Sequence, residues 1–121
     1  MTAPNIAGLA TVTGKTAALN LANTLTTDVL ANAASSNKVL KINSLIVSNV
    51  DGNAAATVSI MLQRGGQSTF YLASDIDVPA ETTLIVISKD TQIYLEEDDK
   101  IRAVASAGND LNIICSYEEI S

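Results

Sequence analysis

An all-β fold, an antiparallel β-sandwich of jelly-roll or meander form, is expected from this sequence on three grounds. After residue 38, short segments rich in Val, Ile and Leu are separated by Gly, Asn and Asp residues that favour turns. Within several segments, apolar and polar residues alternate with the period of two of a half-buried strand. The 121 residues suit one domain, and its core must be aliphatic because only four residues are aromatic.

The first third of the chain has no clear period. Residues 1–18 are rich in Ala, Thr and Gly, and we expect them to form an extended N-terminal arm. Residues 19–37 are compatible with a helix or a strand, but their many Thr and Asn residues favour a strand around 24–31. The predicted organisation is therefore an arm over 1–18 and a single sandwich domain over 19–121.

Seven further strands are predicted downstream, and four of their connections are expected to be tight hairpins. The strands are 39–50, 56–64, 68–74, 83–88, 92–96, 100–106 and 111–119. The hairpin turns are Asp51-Gly52 and the loops 65–67, 97–99 and 107–109. Pro79 cannot donate to a strand ladder, so the segment that contains it is expected to cross from one sheet to the other.

The turn lengths predict a register that keeps the aliphatic residues on one side, because a slip of one residue would reverse every side chain. The predicted opposite pairs are Leu45 with Val58, Leu62 with Phe70, Ile60 with Leu72, Leu95 with Ile101, Ala103 with Ile113 and Ile101 with Cys115. The predicted inward face consists of Ile93, Leu95, Ile101, Ala103, Ala105, Leu111, Ile113 and Cys115.

The chemical equipment of an enzyme is missing from the sequence. The chain has no histidine and one cysteine, which excludes Ser-His-Asp and Cys-His pairs, the usual zinc sites and an intrachain disulfide. The acidic groups at 75–77 and 96–99 lack the spacing of a calcium-binding loop, and Cys115 is expected to behave as a small buried hydrophobe. We therefore expect no enzymatic activity, no cofactor, and no catalytic or metal-binding residues.

Charge is distributed unevenly along the chain. The net charge is −6, but residues 1–74 carry +2 and residues 75–121 carry −8. This separation argues against nucleic-acid binding by the second half, and it fits either a solvated acidic surface or a contact with a basic partner. The start lacks the features of a signal peptide and no apolar run approaches the length of a membrane helix, so we expect synthesis in a cytoplasm and no membrane association.

One apolar surface is left over after the core is assigned. The segment "TLIVIS" at 83–88 is apolar on both sides, and in a lone sandwich Ile85, Ile87, Val104 and Ile114 would partly face water. Patches of this kind commonly mark subunit contacts, so these four residues form the predicted interface of a homo-oligomer. The alternative is that the N-terminal segment covers them.

The motifs of the second half resemble a known family. Residues 78–121 contain "VPAETTLIV", "YLEEDD", "IRAVASA" and the final "SYEEI", preceded by "KVLKINSLIVSNVDGNAAATVSIML". In this order they resemble small virion structural proteins of tailed phages, including phages of marine bacteria and cyanobacteria. The similarity covers about 38–121, and Asp98 stands where the pattern tends to have glycine.

This resemblance implies a non-enzymatic, all-β component of the phage particle, with phage capsid or tail proteins as its partners. A capsid decoration or cement protein that binds the particle through the apolar patch and the N-terminal arm is the first expectation, and a neck, baseplate or tail-fibre component is the alternative. Fibre proteins would add glycan binding, for which Tyr71, Tyr94 and Tyr117 are the candidate stacking residues, with calcium at Asp75, Asp77 or the 96–99 turn.

Overall fold

The computed structural model describes residues 11–65 and 68–121, and in these residues the chain forms nine β-strands. They are β1 (Val12–Asn20), β2 (Thr27–Ala31), β3 (Val39–Asn49), β4 (Ala56–Arg64), β5 (Ser68–Val78), β6 (Thr83–Ile87), β7 (Ile93–Leu95), β8 (Asp99–Ala105) and β9 (Leu111–Ile120). No helix of the described residues is long and apolar enough to cross a membrane.

The strands form two antiparallel sheets that pack face to face, which confirms the all-β sandwich. Sheet A has the order β1-β9-β3-β6, with β7 also paired to β3, and sheet B has the order β2-β8-β4-β5. Among these nine strands, six of the eight connections lead from one sheet to the other. This is the strand order of a jelly roll, so the meander alternative is wrong.

One of the four predicted hairpins is confirmed. Strands β4 and β5 pair directly, and Leu62 lies opposite Phe70 as expected. The predicted partner of Ile60 is wrong because the register shifts in β5: Ile60 lies opposite Ala73, and Leu72 is the extra residue. The tip of the expected 65–67 loop includes residues 66 and 67, which lie outside the described residues.

The other three predicted hairpins, at Asp51-Gly52, 97–99 and 107–109, are wrong because these turns carry the chain from one sheet to the other. Strand β3 pairs with β6, β7 and β9, and β8 pairs with β2 and β4. The pairs predicted across these three turns are consequently replaced by longer-range ones. The observed pairs are Leu45 with Ile87 and Cys115, Val58 with Ile76 and Ala105, Leu95 with Leu40, Ala103 with Ile60 and Thr27, and Ile113 with Leu19 and Val47.

The inward face is confirmed although most of its pairing partners were wrong. Seven of the eight predicted residues are buried in the core cluster, and Ile93 packs against it. The reason is geometric: the inner faces of the two sheets confront each other, so a chain that turns over into the opposite sheet keeps its apolar side inward. Side-chain alternation therefore survives an error in strand pairing.

Part of the segment predicted as an N-terminal arm is a strand of the sandwich. Residues 12–18 belong to β1, which pairs along its whole length with β9, so they are part of sheet A. The pairing follows from local packing, because Ala17 and Leu19 lie opposite Cys115 and Ile113 and pack against the core. The remainder of the predicted arm, residues 1–10, lies outside the described residues.

Two expectations for the connecting segments hold. The strand around 24–31 is β2, which pairs with β8. The segment with Pro79 leads from β5 in sheet B to β6 in sheet A, as its lack of a backbone donor predicted. The N–H of Thr82 and its hydroxyl both donate to the carbonyl oxygen of Pro79, which closes a turn between the sheets.

Buried asparagines hold two of the crossings in place. The side chain of Asn49, at the end of β3, donates from Nδ2 to the carbonyl oxygens of Ala54 (3.0 Å) and Val78 (2.9 Å), and its Oδ1 accepts from the N–H of Asp51. One amide therefore links the β3–β4 crossing to the end of β5. Such a position satisfies backbone groups that would otherwise be buried without partners.

Asn32 has the corresponding role after β2. Its Nδ2 donates to the carbonyl oxygens of Lys38 (2.9 Å) and Leu95 (3.1 Å), and its Oδ1 accepts from the Ser36 hydroxyl. The β2–β3 crossing is thereby tied to the end of β7. Both asparagines are almost completely buried, as expected for amides whose hydrogen bonds are all made within the protein.

Candidate interaction surface

The outward side of sheet A, called face A below, presents side chains in rows that run across the strands. The rows arise because opposite residues of β1, β9, β3 and β6 or β7 stand side by side in an antiparallel sheet. The amide row is Asn20, Asn112, Ser48 and Thr83, and the aliphatic row is Ala18, Ile114, Ile46 and Ile85. The hydroxyl row is Thr16, Ser116 and Ser44, and the charged row is Gly14, Glu118, Lys41 and Tyr94.

The aliphatic row is uneven in height. Ile85, on the edge strand β6, is 65 % exposed, and Ile114 is 41 % exposed. At the opposite edge the row ends in the small Ala18. A shallow depression of about 290 Å³ lies there, lined by Ala18, Leu19, Asn112, Ile113 and Ile114. The row therefore has a protruding side chain at one end and a hollow at the other.

The structure brings together two of the four predicted interface residues. Ile85 and Ile114 share the aliphatic row, whereas Val104 lies opposite Ser59 on the outer side of sheet B. Ile87 is only 2 % exposed and belongs to the core, so its assignment to an exposed surface is wrong. Ile87 points inward because the register shifts in β6. The adjacent β3 residues Leu45 and Ile46 pair with Ile87 and Ile85, so β6 has one extra residue between its two isoleucines.

Ile46 belongs to the aliphatic row but was not among the predicted interface residues. It connects Ile114 to Ile85 across β3 and is half-buried. The signal was present in the sequence, since Ile46 stands between the inward-facing Leu45 and Val47 and must point the other way. An apolar residue between two core positions indicates a strand that is apolar on both sides.

Face A is uncharged over three of its four rows. The polar groups of the amide row already bond one another: Asn20 Nδ2 donates to Asn112 Oδ1 at 2.7 Å, and the hydroxyl oxygens of Ser48 and Thr83 are 3.1 Å apart. Removing water from such groups costs less than removing it from unpaired or charged ones. The face is therefore suited to burial against another protein surface.

The charged row holds one residue of each sign. Glu118 accepts a hydrogen bond from Asn43 Nδ2 at 3.1 Å, and Asn43 in turn accepts one from Gln92. Lys41 lies next to Glu118 in register, yet it forms no ion pair with a carboxylate of the described residues. The ammonium group of Lys41 is thus available to a partner.

Three carboxylates of the acidic turn between β7 and β8 contact other residues of the protein. Asp99 is almost fully buried and contacts Arg64 through two hydrogen bonds of 3.0 and 3.3 Å, and Glu96 also pairs with Arg64. The hydrogen bond and the charge of Asp99 raise the pKa of the Arg64 guanidinium. Glu97 accepts the N–H of Asn37 at 2.9 Å. In the described part of the chain, no group of three or more potential metal ligands is formed.

The three tyrosines occupy separate surfaces. Tyr71 is 60 % exposed on the outer side of sheet B, Tyr94 lies on face A, and Tyr117 packs against the core. Phe70, next to Tyr71, is similarly exposed but points to the other side of β5. Within the described residues the tyrosines therefore do not form one stacking platform.

Cys115 is completely buried at the inner side of β9, and burial raises the pKa of its thiol to about 11. We expect the native protein to react with a disulfide reagent at pH 8 at least about a hundredfold more slowly than the unfolded chain, because the thiolate is the reacting form. Absorbance of the released thiol in native and denaturing buffer measures this. Fast, complete labelling under native conditions would contradict the burial.

One ion cluster joins the two sides of β9. Glu119 Oε1 lies 3.0 Å from Lys38 Nζ, and Oε2 lies 3.1 Å from Lys15 Nζ. These contacts, with that of Lys38 the stronger, lower the pKa of Glu119. A carboxylate with a lowered folded-state pKa stabilises the fold above its unfolded-state pKa of about 4.3 and loses that contribution as the pH falls further.

Glu119→Gln is therefore expected to flatten the loss of stability below about pH 4.5. The effect should stay below about 1 kcal/mol, because partly exposed ion pairs contribute little. Urea unfolding between pH 3 and pH 7 measures the free energy of unfolding, with Glu81→Gln as the control at an exposed glutamate. Equal pH profiles for the wild type and Glu119→Gln would show that the cluster contributes nothing.

Comparisons with known proteins concern the fold. No protein-family model matches the chain, and no curated protein matches it significantly. A solved protein of Bacillus endospore appendages, described as a novel family of disulfide-linked pili, superposes with a TM-score of 0.53 at 12 % identity, over 98 % of this chain and 95 % of that one.

Two structures of a pentameric capsid protein isolated from metagenomic phage sequences match with TM-scores of 0.41 at 17 % identity. They cover 85 % of this chain, which spans 60 % and 59 % of theirs. At these identities a structural match bears on the fold alone, and the TM-score of the appendage protein is high enough to support it. This chain thus has the same overall sandwich fold as the Bacillus appendage protein.

Proposed function

We propose that this protein is a non-enzymatic structural component of a phage virion, specifically a capsid decoration or cement protein that docks through face A. The observation that carries the proposal is the aliphatic row of face A, in which Ile114, Ile46 and Ile85 form a continuous apolar strip between two uncharged rows. Burying such a strip gains roughly 25 cal/mol for each Å² of apolar surface removed from water. Exposed strips of this kind commonly mark contacts between proteins.

The sequence resemblance supplies the context of the phage particle, since the motifs of about 38–121 are similar to those of small virion proteins. The jelly roll alone does not decide the matter, because the same architecture occurs in capsid and in lectin domains. The absence of an enzymatic role also belongs to the proposal. It is supported by a sequence without histidine, a buried Cys115 and an Asp99 that is held by Arg64.

A neck, baseplate or tail-fibre location is the second candidate, and glycan binding would accompany the last of these. The exposed Tyr71 on the edge strand β5 favours it, because an exposed aromatic ring can stack on a sugar. A glycan array with wild-type protein and Tyr71→Ala, each with and without calcium, tests this candidate. Binding that disappears in Tyr71→Ala would support it, and no binding under either condition would remove it.

Sedimentation with phage particles tests the main proposal. The wild type, Ile114→Glu and Leu25→Glu are mixed with particles of the encoding phage from which this protein has been deleted. Leu25 is an exposed aliphatic residue in the crossing between β1 and β2, outside sheet A, so its variant is a matched control. We expect wild type and Leu25→Glu to co-sediment and Ile114→Glu to bind at least about tenfold more weakly, because an unpaired charge would be buried.

Electron cryomicroscopy of the reconstituted particles then locates the bound protein. Density on the head shell would support decoration, and density on the neck, baseplate or fibres would support the second candidate. A protein that never associates with particles, or one for which Ile114→Glu binds as well as Leu25→Glu, would contradict docking through face A.

A further inference from the structure

We propose that face A pairs with face A of a second copy about a two-fold axis that runs parallel to the strands. The inference deepens the proposed function: it rests on face A being the docking surface and names its occupant. The rows of face A favour this pairing, because the order of side chains in each row is complementary to its own reverse.

The reversal follows from the symmetry. Two sheets pack face to face about 10 Å apart, with their strands nearly aligned. A two-fold axis between them and parallel to the strands exchanges left and right, so β1 faces β6 and β7 of the other copy, and β9 faces β3. Each row thus meets itself in the opposite order, as an isologous contact requires.

The aliphatic row matches its own reverse in size. Ala18, with the depression beside it, comes to lie against the protruding Ile85 of the second copy, and the same contact forms at the other end of the row. Ile114 comes to lie against Ile46 of the second copy. A projection therefore meets a hollow twice, which is the shape complementarity that a well-packed interface needs.

The charged row matches its own reverse in charge. Glu118 comes to lie against Lys41 of the second copy, and Lys41 against Glu118, so two reciprocal pairs of opposite sign form. Tyr94 comes to lie over Gly14, where a side-chain atom would meet nothing within 4 Å. Because each copy carries a net charge of −6, the uncharged rows and these reciprocal pairs are what allow close approach.

The area of face A is sufficient for a reversible dimer. Four strands spaced about 4.8 Å apart and four rows about 6.8 Å apart cover roughly 500 Å² for each copy. Two copies would bury about 1,000 Å², near the lower limit for a specific interface. We therefore expect a dissociation constant in the micromolar range, about 1 to 100 μM. Docking onto a different protein would not require each row of face A to be complementary to its own reverse.

Size exchange across the interface provides the first test, measured by sedimentation equilibrium from about 1 μM to 1 mM. Ala18→Ile alone should raise the dissociation constant at least about tenfold through a clash with Ile85, and Ile85→Ala alone should raise it by leaving a void. The double variant Ala18→Ile/Ile85→Ala restores a large residue opposite a small one and should recover most of the affinity. Leu25→Glu, at an exposed residue between β1 and β2 and outside sheet A, is the control that should leave dimerisation unchanged.

Charge exchange provides an independent test. Lys41→Glu or Glu118→Lys alone places like charges opposite each other and should weaken the dimer at least about tenfold. The double exchange Lys41→Glu/Glu118→Lys should restore it. Lys89→Glu, at an exposed loop position outside the rows, makes the same charge change and should leave the specific contact intact. Urea unfolding of each variant verifies that the fold is unchanged.

Cross-linking tests the predicted neighbours directly. The variant Ala18→Cys/Ile85→Cys is treated with a short bifunctional maleimide, which joins thiols on facing sheets but cannot span the row within one copy. We expect a covalent dimer from the double variant and little from either single variant. Cys115 does not interfere, because it is completely buried.

A protein that stays monomeric up to 1 mM, or a dimer that resists Ile114→Glu and yields no specific cross-link, would overturn the two-fold pairing. These outcomes are separable from those of the proposed function. A monomer that binds particles through face A would retain the function and remove the dimer. A dimer with the predicted cross-link that is absent from virions would retain the dimer and remove the function.

Discussion

Ile113→Ala is expected to lower the free energy of unfolding by about 2–5 kcal/mol, the range measured for truncating large buried aliphatic side chains. Ile113 is completely buried on β9, between Leu19 of β1 and Val47 of β3. Its loss removes the transfer free energy of three carbons and leaves a cavity that the two rigid sheets cannot close. Urea or thermal unfolding, followed by circular dichroism, measures the change.

The neighbouring residue supplies the control. Ile114 has the same side chain on the same strand but points to face A and is 41 % exposed, so Ile114→Ala should cost less than about 1 kcal/mol in the monomer. The comparison is made at a protein concentration at least about tenfold below the dissociation constant of the dimer, so that few dimers form. Equal losses for the two variants would mean that β9 does not present its odd-numbered residues to the core.

Asn49→Ala is expected to destabilise the fold by about 2–5 kcal/mol although it removes only a small polar group. The amide of Asn49 bonds two carbonyl oxygens and one N–H, and each buried backbone group left without a partner costs about 1–3 kcal/mol. Water entering the vacated space would recover part of this. The same equilibrium unfolding measurement applies.

Asn53→Ala is the matched control for Asn49→Ala. Asn53 is exposed in the same crossing, where its backbone N–H donates to Asp51 and would be unaffected by the substitution. Its change should stay within about 0.5 kcal/mol. A loss for Asn49→Ala no larger than that for Asn53→Ala would show that the crossing does not depend on the buried amide.

Two of the four residues of the aliphatic row were predicted from the sequence. Ile85 and Ile114 were identifiable because each is a large apolar residue next to core residues on its strand. Their common row was not identifiable, because it passes through Ile46, and the pairing of β3 with both β6 and β9 is a long-range property. Ile87 was misplaced for a local reason, since a bulge adds one residue and reverses the alternation without leaving a recognisable mark in composition.

The wrong hairpins have a related cause. Asp51-Gly52 has the composition of a two-residue hairpin turn, yet here Asp51 accepts the N–H of Asn53 and donates its own to Asn49 within a crossing between sheets. Turn residues report local backbone conformation, which a hairpin and a crossing can share. Whether the chain forms a hairpin or a crossing depends on which sheet edge offers the following strand the better pairing partner.

Alternation of side chains along each strand was sufficient to define the class of the fold, the single aliphatic core and the side of each late strand that enters it, because a period of two is a local consequence of the extended backbone. Strand partners, the jelly-roll order, the inclusion of β1 and the rows of face A depended on folding. They join residues as distant as Lys15 and Glu119, 104 positions apart, whose contact is decided by the packing of the whole chain.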